Sequence, residues 1–138
     1  MIILDTNVIS ALMNDPPDSK VVTWFDRQAG SSIWTTSITV LEIQFGLQIM
    51  PAGKRRTGLS QIFELILGEI DSRIAGLDEE AARATASLMA SRQKTGRIGD
   101  LRDTMIAGIV IARHASLATR NTAHFSDVPA PVVDPWTA

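Results

Sequence analysis

Three acidic residues occupy positions where a chain of this composition should place apolar or neutral ones. Asp5 follows the apolar run Ile2-Ile3-Leu4, at the point where a buried strand would hand over to a helix. Glu42 falls on one helical stripe with Ile38, Phe45 and Ile49, counting about 100° per residue. Asp103 aligns in the same way with Ala107, Val110 and His114. Each has an ordinary explanation when taken singly. Asp5 can cap a helix, Glu42 can sit in an ion pair, and Asp103 can share a capping box with Asp100 beside a helix dipole. Taken together, the three carboxylates belong near one edge of a sheet, where like charges repel unless a divalent cation joins them. An oxygen-only donor set with no Cys and no clustered His favours Mg2+ or Mn2+ over Zn2+.

The elements that must position these acids alternate. A strand at Ile2–Leu4 leads into a short helix over Val8 to Met13 capped by Asp5-Thr6-Asn7, and Pro16-Pro17 separates it from a second helix over about Ser19 to Ala29. Ser32–Thr36 has strand composition, and Ser37 is placed to cap a helix to about Met50. Helices over about Thr57–Asp71 and Asp78–Thr95 flank a short apolar stretch, and Asp100–Ala115 is helical again. Ser116–Thr119 reads as a strand, Pro131–Val133 as an edge strand, and Pro129–Ala138 as the least specified segment. This order predicts an α/β fold of three layers, a mostly parallel central sheet with helices on both faces. Ligands of such sheets bind outside the carboxyl ends of the strands, where Asp5 and Asn121 both fall.

Composition bounds the rest. With 138 residues, 45% of them hydrophobic, residues 1–138 are expected to form one domain. A net charge of −2, from 13 basic against 15 acidic residues, excludes nucleic-acid binding by bulk electrostatics and requires it to be local. The absence of cysteine excludes disulfides and a thiol nucleophile and fits the cytoplasm. No apolar run approaches the roughly 20 residues of a membrane span.

These residues resemble the PIN-domain ribonucleases, and among them the VapC toxins of type II toxin–antitoxin pairs, in particular the FitB-like branch. The resemblance spans nearly the whole chain. It is carried by Ile3-Leu4-Asp5-Thr6-Asn7-Val8, by Ile38-Thr39-Val40-Leu41-Glu42-Ile43 with Gly46-Leu47, and by Asp103 with Met105-Ile106-Ala107. Ala118-Thr119-Arg120-Asn121-Thr122 with Phe125, and the closing Asp134-Pro135-Trp136, complete it. It implies a PIN-like fold and Asp5, Glu42 and Asp103 as catalytic, metal-binding acids. The metal would be Mg2+, with Mn2+ able to substitute, and would activate water for in-line attack on an RNA phosphodiester.

The family's fourth acid falls at Asn121, a departure that leaves a neutral oxygen there and weakens any second metal. Arg120 beside the site, and Arg97 and Arg102 before the Asp103 helix, are the expected RNA contacts. Thr6 and Thr119 carry hydroxyls that could position water or phosphate. The resemblance also implies a VapB- or FitA-like antitoxin that blocks the cleft and alone contacts promoter DNA. The apolar excess over Leu59–Ile70 fits a homodimer or a hetero-oligomer with that antitoxin.

Two other functions compete. An aspartyl-nucleophile phosphatase also places Asp after its first strand, but it needs a second acid two residues on, where this chain has Asn7, and it leaves Glu42 without a task. A PIN-like module that binds RNA without cutting it is the other, with Asn121 as its sign.

Overall fold

The computed structural model describes residues 1–138. Its centre is a sheet of five short strands: β1 (Ile2–Leu4), β2 (Ile33–Thr36), β3 (Ile74–Ala75), β4 (Ser116–Ala118) and β5 (Val132–Val133). They lie in the order β3-β2-β1-β4-β5, and every pair is parallel. Six α-helices connect and cover them: α1 (Thr6–Met13), α2 (Ser19–Asp26), α3 (Ser37–Ile49), α4 (Lys54–Glu69), α5 (Glu79–Lys94) and α6 (Leu101–Ala112). None is long and apolar enough to cross a membrane.

The strands are apolar on both sides because both faces are covered. Ile3 and Leu117, paired in register, point into a core made mostly by α5 and α6. Their neighbours Leu4 and Ala118 point the other way, into a core built from Val8, Val21, Ile43 and Phe63 of α1 to α4. Each fully buried side chain of this kind contributes about 1.5–3 kcal/mol of transfer free energy. Helices α5 and α6 meet closely at Gly108, where a Cβ would fall 1.9 Å from Thr85 Oγ1 and 2.8 Å from the Ala81 carbonyl.

Several expected boundaries move. Helix α1 begins at Thr6 because Asp5 is itself the cap, and α3 is capped by Thr36 rather than Ser37, its hydroxyl accepting from Thr39 N–H. Helix α4 starts at Lys54 rather than near Thr57, so the run Lys54-Arg55-Arg56 forms its first turn. Helix α6 stops at Ala112, where His114 adopts φ 52° and Ala115 N–H reaches back to the Val110 carbonyl. The tail is also better defined than its composition indicates. β5 pairs with β4, and Asp134 then organises the last residues, accepting from Trp136 N–H at 2.9 Å through its side chain and from Thr137 and Ala138 through its carbonyl.

The order reverses at β1, which has β2 on one side and β4 on the other. The residues leaving β1 and β4 therefore open onto a crevice at the carboxyl edge, the position at which open α/β sheets bind ligands.

Candidate active site

Asp5 leaves β1 at this edge and is 3% exposed. Its two oxygens do different work. Oδ1 accepts from Thr6 N–H at 2.8 Å, the cap of α1, while Oδ2 accepts from the Thr119 hydroxyl at 2.7 Å and from the Asn7 amide at 3.3 Å. Thr119, fully buried at the end of β4, also accepts from Asn121 N–H and the Asn7 amide. Asn7 in turn accepts Arg120 N–H at 3.1 Å. The ends of β1 and β4 are thus tied together through one carboxylate and one hydroxyl.

Glu42 approaches from α3. The stripe used to place it does not face the core, because Phe45 and Ile49 are 57% and 67% exposed and the buried face is Ile38, Thr39, Ile43 and Leu47. Glu42 stands at the border of that face, where it accepts from the Thr6 hydroxyl at 2.9 Å and lies 3.9 Å from Arg102. Asp103 sits in the first turn of α6, whose cap is Asp100. Asp100 accepts from Arg102 and Asp103 N–H, and Asp103 makes no return bond, so only half of the expected capping box forms. Asp103 Oδ2 lies 3.5 Å from His124 Nδ1.

Asp5, Glu42, Asp103, Arg120 and Asn121 line a single cleft of about 460 Å3, together with Thr6, Asn7, Ser10, Asn14, Asp18 and Trp136. Arg102 borders it through Glu42. Arg97 does not reach it: its guanidinium bonds the Ala123 carbonyl and faces Asp127, beside a neighbouring hollow that also contains Asp103 and His124. Burial holds the Asp5 carboxyl above its ordinary value of 3.8, and the charges of Asp103 and Glu42 push the same way. The Thr119 hydroxyl and Thr6 N–H oppose that rise.

The donor set suits a hard divalent cation, since it is all oxygen and its mutual repulsion is what such an ion relieves. The side chains are not closed around a common point, however, and no three acidic or histidine groups stand in a preformed coordination arrangement. Glu42 is drawn toward Arg102 and Asp103 toward His124, so binding requires side-chain rotations.

Sequence reasoning missed Asp18, Trp136 and His124. The tail is the least specified segment by composition, and the 3-10 turn Thr122–Phe125 that carries His124 has no periodic signal. Thr6 and Thr119 serve the carboxylates directly, and the first also meets the Thr39 hydroxyl at 3.1 Å.

The PIN domain family model matches residues 2–131, and the chain belongs to that family. Within it, the full-length likeness is to VapC and FitB toxins. The VapC ribonuclease Y4jK of Sinorhizobium fredii is 39% identical over 137 residues, covering 99% of this chain and 98% of the relative. The crystal structure of FitAcB from Neisseria gonorrhoeae matches with a TM-score of 0.90 at 31% identity over the whole of both chains. VapBC2 from Rickettsia felis, bound to a DNA fragment from its promoter, matches with a TM-score of 0.81 at 25% identity over 96% of this chain and 98% of that one.

Proposed function

We propose that this protein is a Mg2+- or Mn2+-dependent endoribonuclease and the toxin of a VapBC-type pair, acting on RNA in the cytoplasm. The observation that carries the reading is the convergence of Asp5, Glu42 and Asp103 on one cleft at the carboxyl edge of the sheet. The three acids would hold the cation, and Asn121, which lines the same cleft, could add a neutral oxygen. When bound, the ion supplies the Lewis acidity that activates water and offsets charge developing on the phosphate.

The chain's own groups prepare that step. The Thr119 hydroxyl and Thr6 N–H favour the ionised form of Asp5 against its burial, and the Thr6 hydroxyl fixes one oxygen of Glu42. No side-chain nucleophile is needed. Arg120, which lines the cleft, and Arg102, which borders it through Glu42, are the proposed contacts for backbone phosphates, while Arg97, tied to Ala123 and Asp127, stands outside the cleft.

The partner is a VapB- or FitA-like antitoxin, through which alone the complex reaches promoter DNA. Support comes from apolar side chains left open on neighbouring helices: Leu41, Phe45 and Ile49 on α3 and Leu65 on α4, the last 70% exposed. Such a surface is covered in a homodimer or a toxin–antitoxin hetero-oligomer.

The test is cleavage of labelled structured and single-stranded RNA with Mg2+, Mn2+ or EDTA, by the wild type and by Asp103→Asn. Cation-dependent cleavage lost in EDTA and in the variant is expected. RNA binding with no cleavage under any cation would replace the nuclease by a binding module, the reading that Asn121 and the unclosed acids favour.

A further inference from the structure

Among the three arginines near the acids, two are committed. Arg102 lies 3.6 Å from Asp100 and 3.9 Å from Glu42, and Arg97 is held by Asp127 and the Ala123 carbonyl. Arg120 alone lines the acidic cleft without a side-chain hydrogen bond or ion pair to the protein. Its guanidinium instead lies over the Trp136 ring, 4.8 Å from the centroid.

Both members of this stack are anchored. The Trp136 indole N–H donates to Asp18 Oδ2 at 3.1 Å, and its backbone N–H to Asp134 Oδ1 at 2.9 Å. Asp18 is itself occupied as the cap of α2, accepting from Lys20 and Val21 N–H. At the other end, Arg120 N–H donates to Asn7 Oδ1, and the Asn7 amide reaches Asp5 and Thr119. The arginine is therefore referenced to the catalytic acids by its backbone and to the C-terminal turn by its side chain. A guanidinium held by its face keeps its in-plane N–H groups free, and those are the donors that grip a phosphate bidentately.

We propose that Arg120 and Trp136 form a pre-set subsite for a backbone phosphate of RNA, with Trp136 as the positioning residue that holds the Arg120 guanidinium toward the cleft. This rests on the ribonuclease reading and adds to it where the strand is gripped. The subsite also answers an electrostatic difficulty, because four carboxylates, Asp5, Asp18, Glu42 and Asp103, repel a polyanion and Arg120 is the one cation lining the same cleft. The C-terminal turn, which supplies the ring, becomes part of the substrate site.

The experiment is a double-mutant cycle on RNA affinity, read by fluorescence anisotropy of a labelled single-stranded RNA in EDTA, where cleavage is silent. Arg120→Ala is expected to weaken binding about tenfold at low salt and to flatten the salt dependence by about one ion. Trp136→Leu should cost about threefold, and Trp136→Phe, which keeps a ring face, less than that. In the Arg120→Ala background, Trp136→Leu should have no further effect.

Equal losses from Trp136→Leu in both backgrounds, or no loss from either single variant, would overturn the subsite. Wild type that binds RNA with the predicted coupling yet cleaves nothing would overturn the nuclease reading and uphold this one. Cleavage without any dependence on Arg120 or Trp136 would do the reverse.

Discussion

Replacing Thr119 by Val removes a single hydroxyl from a fully buried position without opening a cavity, and that hydroxyl makes three hydrogen bonds. The donation to Asp5 Oδ2 is short, at 2.7 Å, and its acceptor is a carboxylate, so its loss costs about 1.5–3 kcal/mol. The amides of Asn121 and Asn7 lose an acceptor as well, but both residues border the cleft and recover water. We expect a total loss of about 2–3 kcal/mol, seen as a fall in Tm of about 10 °C for a chain of this size.

The same substitution changes the acid side of the activity profile. Burial already raises the Asp5 pKa, and the Thr119 bond is the largest influence opposing the rise. Without it the pKa moves further up. The proposed cation site needs Asp5 ionised, so activity is expected to fall as pH drops through that pKa, and the loss should begin at higher pH in the variant. Rate–pH profiles of wild type and Thr119→Val at sub-saturating Mn2+, where protons and cation compete for Asp5, provide the assay, with urea denaturation run beside them. A variant that loses stability while its acid limb stays in place would refute the claim that Thr119 governs the charge on Asp5.

Other consequences are simpler to check. Gly108→Ala should destabilise by about 3 kcal/mol, because its methyl group meets Thr85 and a backbone carbonyl of α5; denaturant titration reads this directly. Asp127→Asn leaves Arg92, 4% exposed, without its carboxylate partner, and should cost about 2 kcal/mol, a reduced figure because Asp127 is itself 27% exposed. Arg92 lowers the Asp127 pKa below 3.8, so the pair stabilises fully above that value and its contribution drains as pH falls through the lowered pKa. Thermal melts from pH 6 to pH 2 should show this component in wild type and not in the variant. Asn121→Asp should tighten Mn2+ binding about tenfold by adding a charged oxygen, measured by calorimetry.

Where sequence reasoning succeeded, local pattern and tertiary environment agreed. Ile2-Ile3-Leu4 and Ser116-Leu117-Ala118 are short apolar runs because both faces of the sheet are covered, and the acids at or beyond strand ends reached the predicted edge. Glu42 lines the cleft, but not for the reason that placed it there. Hydrophobicity alone does not separate a stripe facing the core from one left open on the surface, and Phe45 and Ile49 belong to the second kind.

The least legible part was the far wall of the cleft. Its geometry depends on contacts between residues more than a hundred positions apart, such as Trp136 with Asp18 and Arg120 with Asn7. No periodicity encodes such pairs. The tail's Pro and small residues hid a turn ordered by Asp134, and His124 joined the edge of the site through an irregular turn.

Asp5, Glu42 and Asp103 are proposed to gather a divalent cation. The most direct measurement is the anomalous difference map of crystals grown with Mn2+, which reports metal position independently of activity. A peak is expected in the cleft about 2.1 Å from carboxylate oxygens of these acids, with Glu42 turned away from Arg102. A map without a peak at saturating Mn2+, or a peak held elsewhere with the three acids still apart, would contradict it.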